Sequence, residues 1–160
     1  MKKLFVILSA AIIIAGFISA WNYHIDHLND VDQAYVKANK DKPGVVLVDV
    51  RPVEVFNGKA PRAGLHGGHI EGSVNFPRSE VIKLINLEDV DKALEILAQA
   101  GITRDKELIL YCNTGKHASD VASYLVKHFK FKRNKIKNYR GSAIDWLKNP
   151  DNKVLPEDHE

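Results

Sequence analysis

Cysteine is nearly absent from this chain: Cys112 is the only one in 160 residues. An internal disulfide and a CxxC redox pair are therefore excluded. A strong charge of one sign is also missing. The formal net charge is +3, and Lys2 and Lys3 supply two of those charges, leaving about +1 for the remainder. So weak a balance gives no reason to propose a nucleic-acid partner, and the basic run KFKRNKIK at residues 130–137 reads as a solvated face. There is no internal repeat and no low-complexity tract. What is present, 45% hydrophobic and 27% charged residues, suits one ordinary core and is too little for two.

One long apolar run stands apart from that core. After Lys2 and Lys3, residues 4–20 read LFVILSAAIIIAGFISA without a charge. The run is longer than a typical signal h-region of roughly 7–15 residues and just short of the roughly 20 that span a bilayer. Trp21 and Tyr23 extend it as interfacial anchors, and Ile18 before Ala20 makes a poor cleavage site. The expectation is an uncleaved anchor over residues 1–22 on an exported protein at the periplasmic side of the inner membrane. A cleaved periplasmic form is the alternative, and a buried helix of the soluble domain ranks third. An unpaired cysteine in an oxidising compartment is a thiol with every chance to react.

The rest of the chain alternates strands and helices. Residues 30–41 predict a short helix with Val31, Ala34, Tyr35 and Ala38 on one face, stopped by Pro43 and Gly44. VVLVDV at 45–50 is a strand buried on both faces, with Asp49 and Arg51 at its carboxyl end. Loop chemistry follows to Gly68, including an insertion-like stretch at 57–67 expected to wall a substrate entrance. A short strand at 73–77 precedes helical residues capped by Ser79, and 88–102 is the clearest amphipathic helix, with Val90, Ala93, Leu94, Leu97 and Ala98 in period. Then come a buried strand at 107–112, a helix at 119–129, an edge strand at 136–139, a last helix at 142–149, and a frayed polar tail at 151–160. This order predicts an α/β domain over 23–150, with a mostly parallel sheet and helices on both faces.

The chemistry concentrates in YCNTGKHAS. Cys112 ends a hydrophobic strand, and a turn leads from it into a helix, so backbone N–H groups and the helix N-terminus converge on one point. That field favours a thiolate over a thiol. Gly115 permits a tight turn, Thr114 offers a hydroxyl, and Lys116 and His117 bring positive charge to the rim. Such a sulfur suits two displacements on one nucleophile: it takes a sulfane sulfur as a persulfide and yields it to an acceptor. A buried inert cysteine is the competing reading.

Several segments in order resemble the rhodanese-like, or sulfurtransferase, family: VVLVDVRPVEVF, GHIEGSVNFP, GITRDKELILYCNTGKHAS and, in degraded form, YRGSAIDW. The resemblance implies a three-layer rhodanese-like domain with Cys112 as the persulfide-carrying nucleophile. It implies that Asn113, Thr114, Gly115, Lys116, His117 and Ala118 surround the substrate, and that Asp49, Arg51 and His69 support the pocket. The donor would be a polysulfide, persulfide or thiosulfate and the acceptor a thiol, with no cofactor. Asn113 and His117 stand where many family loops carry arginine, which weakens a cationic thiosulfate pocket and favours persulfide or polysulfide donors. Lys116 compensates in part, and Arg62 and Arg78 are candidates to reach the pocket. The alternative is a noncatalytic sulfur-carrier or binding module for a membrane or periplasmic partner. Phosphatase-like or arsenate-reducing chemistry asks for arginine where this chain has Ala118.

Other residues read more plainly. His66 and His69, like His24 and His27, could be imagined as metal ligands but are expected to be structural or exposed, with no metal bound. Glu54 is a helix-start residue at least as readily as a pocket acid, and Trp146 is core or cover.

Overall fold

The computed structural model describes residues 29–156; the apolar run at 4–20, and His24 and His27 with it, lies outside them. Among the described residues no helix is long and apolar enough to cross a membrane.

Five strands form an entirely parallel sheet: β1 (Asp30–Val31), β2 (Val45–Asp49), β4 (Val74–Asn75), β5 (Glu107–Tyr111) and β6 (Ile136–Tyr139), in the order β1-β6-β5-β2-β4. A separate antiparallel ribbon pairs β3 (His69–Ile70) with β7 (Val154–Leu155). The helices are α1 (Gln33–Asn39), α2 (Val53–Phe56), α3 (Arg78–Asn86), α4 (Val90–Gln99), α5 (Lys116–Phe129) and α6 (Ser142–Trp146).

Side chains alternate across the sheet because the strand period is two. Leu108 and Leu110 of β5, with Val48 of β2, face one core against α3, α4 and α5. Ile109 and Tyr111, with Leu47, face the other against Val36 of α1, Trp146 of α6 and Ile70 of the ribbon. The sheet is thus covered on both faces, as its continuous apolar strands require.

The structure corrects several local expectations. In α1 the buried side chain is Val36, while Ala34 and Ala38 are exposed, because Asp30 and Val31 are used as a strand and the helix begins only after its cap, Asp32, whose carboxylate accepts from Tyr35 N at 2.8 Å. That strand covers β6, which is therefore an inner strand and not the edge. In α4, Ala93 and Leu97 are buried but Val90 is 45% exposed. Pro77, not Ser79, stands at the start of α3, its fixed φ suited to helix entry. The tail does not fray at residue 151: β7 pairs with β3, and Lys153 O accepts the Trp146 indole N–H at 3.1 Å.

Candidate active site

β2 and β5 are neighbours, yet the chain leaves β2 towards β4 on one side and β5 towards β6 on the other. Their connections diverge at the carboxyl ends, which opens the crevice where parallel sheets hold ligands. Asp49 is in register with Tyr111, so Val50 and then Arg51 leave the sheet beside Cys112 and Asn113.

Cys112 is 2% exposed and touches the core, yet it bounds a hollow of about 210 Å³ whose walls include Pro61, Arg62, Leu65, Thr114, Lys116 and His117. Gly115 N donates to Cys112 Sγ at 3.2 Å. Gly115 has φ 84, and a Cβ there would lie 2.4 Å from Arg140 O, so glycine is required twice over. The helix starts at Lys116, three residues earlier than the apolar period indicates, because the left-handed glycine turns the chain directly into it. The helix N-terminus therefore begins directly after the glycine whose amide donates to the sulfur.

Beneath the loop, Asp49 and Arg51 form a buried ion pair, 0% and 2% exposed. Arg51 Nη2 donates to Asp49 Oδ2 at 2.6 Å and Nε donates to both carboxylate oxygens at 3.0 Å. Its remaining donors reach Gly68 O at 2.5 Å, Asn113 Oδ1 at 3.3 Å and His66 O at 3.4 Å. Burial opposes its charge, and Asp49 more than offsets this, so the guanidinium holds its proton more tightly than usual. One cation thus fastens the Cys112 loop to the 57–68 loop, and Asn113 is a partner in that clamp.

Three residues that sequence reasoning missed complete the support. Asn75 Nδ2 donates to the carbonyls of Asp49 and Arg51 at 3.0 and 2.9 Å. Ser142, buried at φ 54, accepts from Cys112 N at 3.1 Å and donates to Tyr139 O at 2.8 Å. Tyr111 OH accepts from Ile70 N and meets Ser73 Oγ, both at 3.0 Å, and burial, reinforced by Asp49, pushes its phenol well above the ordinary value. Asn75 and Ser142 sit inside motifs visible in the sequence, but only the crossing of chain segments discloses what their side chains hold.

Of the other expected residues, Arg62 does line the Cys112 hollow, as the insertion-like loop was expected to. Arg78 does not; it donates to Asp120 Oδ2 at 3.0 Å and Tyr124 OH at 3.2 Å. Ala118 places its side chain in the core. His69 stacks on Phe56 at 3.6 Å with Nδ1 2.9 Å from Phe56 O, which fixes α2 to the ribbon, and it does not line the Cys112 hollow. Glu54 is exposed in the first turn of α2, and Trp146 is buried. Among the described residues, no group of three or more His, Cys, Asp or Glu could hold a metal ion.

Comparisons with known proteins agree with this geometry. The model of the rhodanese-like domain matches residues 32–149. The chain is 31% identical over 112 residues to the 3-mercaptopyruvate sulfurtransferase of Escherichia coli K12, covering 69% of this chain and 39% of that protein. It is 33% identical over 117 residues to the thiosulfate sulfurtransferase of Azotobacter vinelandii, covering 69% and 40%. It is 31% identical over 129 residues to the sulfur carrier protein TtuD of Thermus thermophilus, covering 74% and 43%. The chain thus spans about two fifths of the length of these relatives. Wild-type EanB superposes with a TM-score of 0.69 at 20% identity, over 82% of this chain and 32% of that one, a likeness of fold.

Proposed function

Because the chain belongs to the rhodanese-like family, we propose that it moves sulfane sulfur through Cys112, from a persulfide, polysulfide or thiosulfate donor to a thiol or other nucleophilic acceptor. The observation that carries this reading is the Gly115 amide aimed at a Cys112 sulfur that borders a hollow with Arg62 and Lys116 at its wall.

In the first step the Cys112 thiolate attacks the outer sulfur of the donor. A new S–S bond forms, the donor's own bond to that sulfur breaks, and the leaving thiolate or sulfite departs with the electron pair. The terminal sulfur of the resulting persulfide bears the negative charge. The Gly115 amide, which already donates to Sγ, and the α5 N-terminus that begins at Lys116 lie beside that charge, and charge-assisted hydrogen bonds are the strong ones. In the second step an acceptor thiolate attacks the terminal sulfur, the bond to Sγ breaks, and the pair returns to Cys112. No cofactor or external electron enters.

A hollow of about 210 Å³ is smaller than the roughly 300–1,000 Å³ of sites for drug-sized ligands, so it suits a small donor. With Asn113 a neutral amide held by Arg51, the cations left at the hollow are Arg62 and Lys116. That favours persulfides and polysulfides over efficient thiosulfate use.

The test is intact-protein mass after exposure to polysulfide or thiosulfate, then to an acceptor thiol, with Cys112→Ser as control. Gain of one sulfur on the wild type and its rapid loss to the thiol is the expected result. No loading from either donor sinks the proposal. A second reading, a sulfur carrier that loads but discharges only to a partner protein, draws on the 2% exposure of Cys112. Stable loading with negligible discharge to small thiols would select it. The exported, membrane-anchored location is part of the same proposal and rests on Lys2, Lys3 and the apolar run at 4–20.

A further inference from the structure

A second hollow adjoins the one at Cys112. Also about 210 Å³, it shares Leu65 and Asn113 with the first and continues across His66, Ile144, Leu147 and Lys148 on the α6 side. Its lining mixes Leu65, Ala143, Ile144 and Leu147 with the polar His66, Asn113 and Lys148, and Ile144 is 40% exposed, although α6 buries Ala143 and Trp146 on its inner side. Neither hollow is lined by an aspartate or glutamate, whereas Arg62, Lys116 and Lys148 bring cations to the pair. The carboxylate beside the second hollow, Asp145, is already engaged: Oδ2 accepts from Tyr139 OH at 2.9 Å and Oδ1 lies 3.4 Å from Lys148 Nζ.

A small sulfur donor needs only the first hollow. The second sets the exposed Ile144 beside Lys148, whose 3.4 Å contact with Asp145 lies at the solvent-exposed surface and is weak. It joins the Cys112 hollow, so that with Arg62 and Lys116 the pair complements an acidic polypeptide. We propose that the second hollow docks an acidic, extended segment of a protein whose cysteine accepts the sulfur. Apolar residues beside that cysteine lie against Leu65, Ile144 and Leu147, and its carboxylates meet Lys148 and Arg62. The acceptor thiolate then attacks the terminal sulfur of the Cys112 persulfide, a new S–S bond forms on the acceptor, and the bond to Sγ breaks with its electron pair returning to Cys112. The acceptor role rests on the sulfur-transfer reading given above.

Binding and chemistry are separated by two measurements on the full chain. A labelled synthetic peptide carrying one cysteine among Glu and Leu residues, and a control with Lys for each Glu, are titrated by fluorescence anisotropy against the Cys112→Ser protein, which cannot take up sulfur. Sulfur loading of the wild type by polysulfide is followed in parallel by mass. The acidic peptide is expected to bind about tenfold or more tightly than the basic one, and Lys148→Glu and Ile144→Asp are each expected to weaken it about tenfold. Both positions are at the surface, so the variants fold. Equal affinity for the two peptides, or binding indifferent to both substitutions, overturns the docking site. If the wild type never loads sulfur, the transfer reading falls and the acceptor role with it, even where the acidic peptide binds.

Discussion

At the scale of single residues, the site depends on polar groups that have no access to water. Asp49 and Arg51 satisfy one another and three further acceptors from two loops. Removing one partner of such a pair leaves a buried charge uncompensated, which typically costs about 3–5 kcal/mol. Arg51→Ala is therefore expected to lower the urea-unfolding free energy by about that amount and to slow sulfur loading, because Asn113 and His66 lose their shared anchor. Arg51→Lys should recover only part of either, since an ammonium cannot reproduce the planar fork. Tyr111→Phe removes the acceptor for Ile70 N and the partner of Ser73 Oγ. It is expected to destabilise the protein by about 1–3 kcal/mol at neutral pH in the same assay. The sequence made Asp49, Arg51 and Cys112 visible as chemistry-bearing groups at strand ends. It was silent on Tyr111, whose hydroxyl matters only because the ribbon lies above it.

Elements decide where those residues point. The turn into α5 holds only because Gly115 adopts φ 84 against the Arg140 carbonyl. A Cβ there meets both a left-handed backbone and a backbone oxygen, so Gly115→Ala is expected to cost about 2 kcal/mol or more, read by urea unfolding, and to reduce the rate of persulfide formation at least about tenfold. The start of α6 presses on the same loop from the other side: Ala143 N donates to Cys112 O at 3.1 Å and Ile144 N to Asn113 O at 3.3 Å. Helical period found α4 and α5 with their central buried residues, Ala93, Leu97, Val121 and Leu125, but missed where α5 begins and placed the exposed Val90 and Ala98 inward. It failed on α1, where an apolar stripe counted from Val31 gave the wrong face, because a two-residue strand interrupts the periodicity before the helix starts.

Across the whole molecule, buried phenols make stability dependent on alkaline pH. Burial, with the hydrogen bond to Glu107, pushes Tyr35 up to about 12, and burial pushes Tyr111 and Tyr139 higher still, against about 10 in an unfolded chain. The folded state therefore keeps protons that the unfolded state releases. Their contribution is whole below pH 10 and is lost as pH rises through the folded values. Urea midpoints measured from pH 8 to 11.5 should fall above pH 10, and the fall should be shallower in Tyr111→Phe. The ribbon also closes the fold over residues far apart in sequence. Ending the chain at Asn149 removes β7 and the carbonyl that accepts the Trp146 N–H. The expected loss is about 1–3 kcal/mol in urea unfolding; no change would mean the tail is dispensable.

Sequence by itself determined the layers, since strands apolar on both faces must be covered on both and the helical periods say with what. It also determined where the one cysteine lies, between a buried strand and a glycine turn. Tertiary structure decided what surrounds that sulfur. The clamp made by Arg51, the seat made by Ser142 and Asn75, and the second hollow beside α6 all join segments far apart in the chain. Their contacts arise from how β2 and β5 diverge, and no local periodicity encodes a meeting between residues that only the folded topology brings within hydrogen-bond reach.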